Sequence, residues 1–240
     1  MQFLTNIFGQ IMRFTYETVI GFGSEPQSVS YFAFVILIMG LISKLLTMPL
    51  MFKMAQSSKK MQELQPKMDQ LKNKYGYDER ILQQKTMEFY KENHISQAGC
   101  SSCLPLIIQL VIMIALFNVI REPGKYMFDN AAQFAEIHKN FFWIADLSKP
   151  DPLFYGLPLL NAILQFAVSF LNPAMNQQQN APGGGSMKMM TYMMPIMFFF
   201  ISLRWQSALI LYWVTGNVVE VLYRGITKLV VSSSSKKKTE

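Results

Sequence analysis

One lysine lies inside a long apolar segment near the start of the chain. Residues 31–52 contain a single charged side chain, that of Lys44. A lysine near the middle of a membrane span costs ~3 kcal/mol to insert and therefore marks a functional position by default. The alternative is that its amine snorkels to the surface, but Lys44 lies about eight residues, or ~12 Å of helix, from the nearer end of the segment. We therefore interpret Lys44 as a functional residue.

Polar side chains recur at helical spacing in three other apolar segments. One stripe along a helix face consists of Asn161, Gln165, Ser169 and Asn172. A second stripe consists of Trp213, Asn217, Glu220 and Arg224. The third segment contributes a single amide, that of Gln109. Because lipid excludes such stripes, they should face protein or water. Buried amides that join helices are one interpretation. A water-filled cavity is favoured, because the sequence suggests no Asp or Glu at the depth of Lys44.

The composition argues against a soluble enzyme and against a disordered protein. Of the 240 residues, 51% are hydrophobic and 15% are charged. A soluble domain carries roughly a quarter charged residues. The sequence therefore predicts an all-α membrane protein with several spans. Two cysteines are too few for a disulfide framework, which argues against a small secreted scaffold.

Five segments are apolar enough to cross a membrane, which takes ~20 helical residues. They are residues 30–52, 104–121, 153–171, 188–203 and 207–226. The segments between them alternate in charge, with fifteen Lys and Arg residues on one side and six on the other. Because the more basic side faces the cytoplasm, we predict an extracytoplasmic N-terminus and a cytoplasmic C-terminus. An odd number of spans agrees with that orientation.

The polar cavity is expected to open towards the cytoplasm and to be closed at its outer end. Gln165, Ser169 and Glu220 lie towards the inner ends of their spans, whereas Phe32 and Phe198 lie in the outer half. An ion-coupled transporter is disfavoured, because the chain has no repeated half and no interrupted pair of helices. The sequence also contains no nucleotide-binding loop.

The first segment, residues 1–29, has apolar residues at helical spacing with polar residues between them. This pattern predicts an amphipathic helix on the outer membrane surface. An uncleaved signal segment and the loss of an upstream segment are the alternatives. The remaining connections are an extracytoplasmic loop at 122–152, a flexible cytoplasmic loop at 172–187 and a basic cytoplasmic tail at 227–240.

Residues 53–95 predict a helical hairpin in the cytoplasm. Five apolar residues are spaced three and four apart, as in a helix that packs on a partner helix: Met61, Leu64, Met68, Leu71 and Tyr75. Gly76 then interrupts the pattern, and Asp78 is a suitable N-cap for a second helix. A solvated basic loop would not show this spacing.

Cysteine and histidine offer little chemistry. Cys100 and Cys103 form a C-x-x-C before the second span, but no βαβ pattern surrounds it and two thiols supply half of a zinc site. We interpret them as small buried residues at the start of a helix. His94 and His138 are predicted on opposite sides of the membrane. We therefore expect no metal site, no cofactor and no catalytic residue.

Four segments, in this order, resemble the YidC family of membrane protein insertases. They are LISKLLTMPLMFKMAQSSKKMQELQPKM, AGCSSCLPLIIQL, FFWIADLSKPDPLFYGLPLL and MKMMTYMMPIMFFFISLRWQSALILYWVTGNVVEVLYR. In order along the chain, they extend over most of residues 30–226. The lack of a large extracytoplasmic domain resembles the Gram-positive type.

The resemblance implies a hydrophilic groove in the inner half of the bilayer, marked by an arginine in the first span. At that position this chain has Lys44, which is a point charge and cannot bind a carboxylate with two parallel hydrogen bonds. Gln165 and Trp213 match groove-lining positions. The predicted groove residues are Lys44, Gln109, Asn161, Gln165, Ser169, Trp213 and Asn217.

The resemblance also implies the function. An insertase of the bacterial cell membrane would move a short hydrophilic segment of a nascent membrane protein across the bilayer without a covalent step. The implied partners are nascent membrane proteins and the lipid bilayer, with contacts to the ribosome and the Sec translocon. A small transporter or channel is the alternative, and a thiol oxidoreductase is the third hypothesis.

Overall fold

The computed structural model describes residues 2–93, 98–128, 131–172 and 185–236, and these residues form helices joined by loops and turns. The side chains of 54–59, 61–62, 79, 98–106, 131, 185–188, 190 and 228–236 are outside the description. The helices are α1 (Gln2–Ile20), α2 (Tyr31–Tyr75), α3 (Glu79–Glu92), α4 (Ala98–Arg121), α5 (Pro123–Tyr126), α6 (Ala131–Glu136), α7 (Leu157–Leu171), α8 (Gly185–Ser202) and α9 (Ser207–Lys236). The predicted all-α class is confirmed. Cys100, Cys103, His94, most of the predicted 172–187 loop and the end of the tail lie outside the described residues and side chains.

Among the described helices, one is long and apolar enough by itself to cross a membrane, over Tyr31–Lys53. Three shorter apolar helices cover Ile107–Arg121, Leu157–Leu171 and Thr191–Ser202. The helix that contains the fifth predicted span is α9, which continues without a break to Lys236. The number of spans therefore stays a prediction.

The first predicted span and the first helix of the predicted hairpin form one continuous helix. The 45 residues of α2 include Pro49 and Pro66, and the helix is mostly polar from Lys53 onwards. After α2, α3 packs back along it, with Met68 of α2 and Leu82 of α3 both buried. The turn fits Gly76 because glycine has no side chain. A Cβ at this position would lie only 2.5 Å from the Lys72 carbonyl oxygen.

Asp78 is the N-cap of α3, as the sequence predicts. Its carboxylate accepts hydrogen bonds from the amides of Arg80 at 2.9 Å and Ile81 at 3.2 Å. These are two of the N–H groups that the first turn of a helix leaves without partners.

Asp78→Ala is expected to destabilise α3 by about 1 kcal/mol, the usual cost of losing an N-cap side chain. Hydrogen exchange should show faster exchange at the amides of α3, with little change elsewhere. Asp69→Ala is the matched control, because Asp69 makes only exposed contacts along α2, to Gln65 and Lys72. Equal exchange in α3 for both variants would contradict the capping role.

The core lies where α1, α2, α4 and α9 meet. Large buried side chains come from each of these helices: Met12, Phe32, Ile36, Met39, Leu116, Leu209, Ile210 and Leu211. One side of α1 packs into the protein, since Phe8 and Met12 are buried and α1 contacts α2 and α4, and its position on the outer membrane surface stays a prediction. Phe3 and Phe14 remain exposed on its other side.

The loop between α6 and α7 (residues 137–156, the α6–α7 loop) binds the first turns of three helices. The Ser30 amide and hydroxyl, at the start of α2, both donate to the Asn140 carbonyl at 2.9 Å. The amide and hydroxyl of Ser207, at the start of α9, both donate to the Lys149 carbonyl at 2.8 and 2.7 Å. At the start of α7, the Leu157 amide donates to the Asp151 carboxylate at 2.7 Å. The N-terminal ends of α2, α7 and α9 therefore lie on the same side of the molecule.

Candidate functional site around Lys44

The amine of Lys44 forms an ion pair with a carboxylate on another helix. Lys44 Nζ lies 2.6 Å from Glu220 Oε2, and each side chain is 12% exposed. Arg224, one turn further along α9, donates to Glu220 Oε1 from Nη2 at 2.7 Å and from Nε at 3.0 Å. We call Lys44, Glu220 and Arg224 the ion cluster. It contains two cations and one anion, and its net charge is positive.

The ion cluster corrects the expectation that no carboxylate lies at the depth of Lys44. α2 and α9 both begin at the α6–α7 loop, and they pack against each other. Lys44 is thirteen residues after Tyr31, the first residue of α2, and Glu220 is thirteen residues after Ser207, the first residue of α9. Both residues therefore lie about 20 Å along their helices from the same loop. The charge of Lys44 is balanced by Glu220, whereas the sequence predicted a water-filled cavity around it.

Two glycines let α2 and α9 approach closely beside the ion cluster. A Cβ at Gly216 would lie 2.9 Å from Lys44 Cε, so the lysine stem passes directly over this position. A Cβ at Gly40 would lie 2.9 Å from Thr215 Cβ and 3.2 Å from the Tyr212 carbonyl oxygen. The absence of a side chain at Gly216 leaves room for the Lys44 side chain to reach Glu220. The absence of a side chain at Gly40 lets α2 and α9 pack closely together.

Gly40→Ala is expected to lower stability by about 1–3 kcal/mol, the usual cost of overpacking a close contact, because the new methyl group meets the α9 backbone. Thermal unfolding of the purified protein in detergent measures the change. Gly225→Ala on α9 is the control, since a Cβ there meets nothing within 4 Å. A melting temperature for Gly40→Ala no lower than that for Gly225→Ala would contradict a tight contact between α2 and α9 at Gly40.

A second polar group joins α7, α8 and α9. Asn217 Nδ2 donates to Asn161 Oδ1 at 3.1 Å and to Gln165 Oε1 at 3.0 Å, and Asn161 Nδ2 donates to Ser202 Oγ at 3.3 Å. Asn161 and Asn217 are buried, whereas Gln165 is half-buried. We call these four residues the amide network. The amides of Asn161 and Asn217 are therefore buried and join helices, and their role in a groove stays a prediction.

The other predicted groove residues make separate contacts. Gln109 is half-buried and donates to the Tyr212 hydroxyl at 3.4 Å. Ser169 is buried and donates within α7 to the Gln165 carbonyl at 2.9 Å. Trp213 is buried against Phe198, with ring centroids 4.3 Å apart. Their role in a groove stays a prediction.

Three of the polar partners in these contacts were not predicted from the sequence. They are Glu220 as the partner of Lys44, Ser202 in the amide network and Tyr212 beside Gln109. Counting residues from the helix starts places Glu220 at the depth of Lys44 only once it is known that both helices begin at the same loop. No group of three or more His, Cys, Asp or Glu in the described part of the chain could hold a metal ion.

The family described as "60Kd inner membrane protein" matches residues 25–234, which include the ion cluster and the amide network. The chain belongs to this family. The family match begins after α1, so the N-terminal helix lies outside the matched region. The resemblance found from four sequence segments is confirmed.

Individual relatives are similar to this chain over nearly its whole length. "Membrane protein insertase YidC" of Fusobacterium nucleatum is 36% identical over 92% of this chain and 95% of its own length. The protein of the same name from Clostridium perfringens is 33% identical over 99% of this chain and 93% of its own length. "Membrane protein insertase YidC 2" of Listeria innocua is 34% identical over 98% of this chain and 76% of its own length.

Proposed function

We propose that this chain is a membrane protein insertase of the bacterial inner membrane. Family membership over residues 25–234 supports the class of activity. The observation that carries the mechanism is the ion cluster, which keeps a positive charge inside a segment that is otherwise apolar. Because the transfer of a polypeptide segment into lipid breaks no covalent bond, it needs neither a catalytic residue nor a cofactor.

The proposed topology has five spans, at residues 30–52, 104–121, 153–171, 188–203 and 207–226. In such a chain the first, third and fifth spans run in the same direction. The common position of the first turns of α2, α7 and α9 at the α6–α7 loop supports this arrangement. The excess of fifteen over six Lys and Arg residues supports a cytoplasmic C-terminus and an extracytoplasmic α6–α7 loop.

In the proposed mechanism, the hydrophilic outer segment of a substrate enters from the cytoplasm and stops beside the ion cluster. Partial entry shortens the apolar path that this segment must then cross. The apolar helix of the substrate passes into lipid, and burial of its apolar surface drives insertion. Lys44, Gln109 and Gln165 are the predicted groove residues that retain the most exposure for such contacts.

We propose that the hairpin of α2 and α3 lies in the cytoplasm and receives nascent membrane proteins. Its exposed surface carries many charged residues, which suits contacts with large partners. By family resemblance, these partners are the ribosome and the Sec translocon.

Reconstitution into liposomes tests the proposed function. A newly synthesised single-span substrate should become protected from added protease when the protein is present, and it should stay accessible in empty liposomes. A trapped small dye should remain inside during insertion. Dye release without substrate insertion would indicate a channel or transporter and would contradict the proposal.

A further inference from the structure

Glu220 binds its two cations through different oxygens. Oε2 accepts from Lys44 at 2.6 Å, and Oε1 accepts from both Nη2 and Nε of Arg224. Arg224 is four residues from Glu220 on the same helix, whereas Lys44 reaches it from α2. The contact with Arg224 is therefore local to α9, and the contact with Lys44 depends on the position of one flexible side chain.

The described part of the chain places no second carboxylate within ion-pair distance of Lys44. All three side chains are mostly buried, at 12% exposure for Lys44 and Glu220 and 18% for Arg224. A buried charge that loses its partner is costly, so Lys44 stays paired with Glu220 until another anion takes its place. Any such anion has to compete with Glu220.

We propose that Glu220 is an internal counter-ion that competes with carboxylates of the translocated segment for Lys44, and that Arg224 retains Glu220 during the exchange. The inference rests on the proposed insertase function. When Lys44 turns to a substrate carboxylate, Glu220 keeps both hydrogen bonds from Arg224, so every charge still has a partner. The positive net charge of the ion cluster then neutralises the incoming acid. A neutral segment gains nothing from displacing Glu220.

The proposal predicts that Glu220 sets how strongly insertion depends on acidic residues in the substrate. The test uses the reconstituted full chain and two single-span substrates that differ only in their outer segments. One segment carries Asp and Glu, and the other carries Asn and Gln at the same positions. The readout is the ratio of protease-protected acidic substrate to protected neutral substrate for each variant. A loss of folded protein affects both substrates equally and cancels in this ratio.

Glu220→Gln should raise the ratio at least about threefold, because apparent affinity rises with the fraction of Lys44 that is free to bind. Glu220→Asp keeps the negative charge but shortens its reach to Lys44, so it should raise the ratio by a smaller factor. Lys44→Met/Glu220→Gln should have the same low ratio as Lys44→Met alone. An unchanged or lower ratio for Glu220→Gln would overturn the proposal.

Glu17→Gln is the matched control. Glu17 also pairs with an arginine four residues away, Arg13, but the pair is exposed on α1. An increase in the ratio for this variant equal to that for Glu220→Gln would overturn the assignment to the ion cluster. If the unmodified chain inserts neither substrate, the proposed function fails and the inference fails with it. If it inserts both and Glu220→Gln leaves the ratio unchanged, only the inference fails.

Discussion

Asp151→Ala should destabilise the protein by about 3–5 kcal/mol, because it removes a buried charged acceptor and leaves several donors without partners. Asp151 Oδ1 accepts from Trp143 Nε1 at 3.1 Å and from the Leu153 amide at 2.9 Å, and Oδ2 accepts from the Leu157 amide at 2.7 Å. The residue itself is 8% exposed. Thermal unfolding in detergent, followed by tryptophan fluorescence, should show a large decrease in the melting temperature.

Asp146→Ala in the same loop is the matched control. Asp146 accepts one backbone hydrogen bond, from the Ser148 amide at 2.9 Å, and its side chain is more exposed. Its removal should cost about 1 kcal/mol, the usual net value of a single hydrogen bond. Equal melting temperatures for the two alanine variants would contradict the central role of Asp151.

Gly156 makes the position of Asp151 possible. A Cβ at residue 156 would lie 2.4 Å from Asp151 Oδ2 and 2.9 Å from Trp143 Nε1. The carboxylate, the indole and the first turn of α7 are therefore packed around a residue without a side chain. Loss of Asp151 would release α7 from the α6–α7 loop, and α7 carries Asn161 and Gln165 of the amide network.

Local features of the fold were readable from the sequence. The N-cap at Asp78 and the end of α2 before Gly76 depend on residues within four positions of each other. Met68, one of the five apolar residues spaced three and four apart, is buried, and the rest of the predicted packing side of α2 stays a prediction. Such signals are short-range, so a single sequence contains them.

The pairing of Lys44 with Glu220 was not readable in the same way, because the two residues are 176 positions apart. Their common depth is set by hydrogen bonds from Ser30 and Ser207 to the α6–α7 loop, and spacing within either helix does not reveal these bonds. The stripe containing Asn161 was equally ambiguous. Amides that line a cavity and amides that join helices have the same helical spacing, and only the packing of α7 against α8 and α9 distinguishes them.

Lys44→Ala and Lys44→Met should both reduce insertion of a substrate with an acidic outer segment by about fivefold, which corresponds to about 1 kcal/mol for a partly hydrated charge pair. The reason is the loss of the amine that such a segment would bind. Insertion of the matched neutral substrate should stay unchanged. The variants should remain folded, because Glu220 keeps both hydrogen bonds from Arg224 when Lys44 is absent.

The comparison among three variants at Lys44 separates charge from packing. Met keeps an unbranched stem over Gly216 without the charge, whereas Ala removes both the stem and the charge. Arg restores the charge and can bind a carboxylate through two N–H groups, so Lys44→Arg should insert the acidic substrate as well as the unmodified chain does. Equal insertion of that substrate by the Ala and Arg variants would refute an electrostatic role. A decrease in both substrates for Ala, but in neither for Met, would show that the stem acts through its contact with α9.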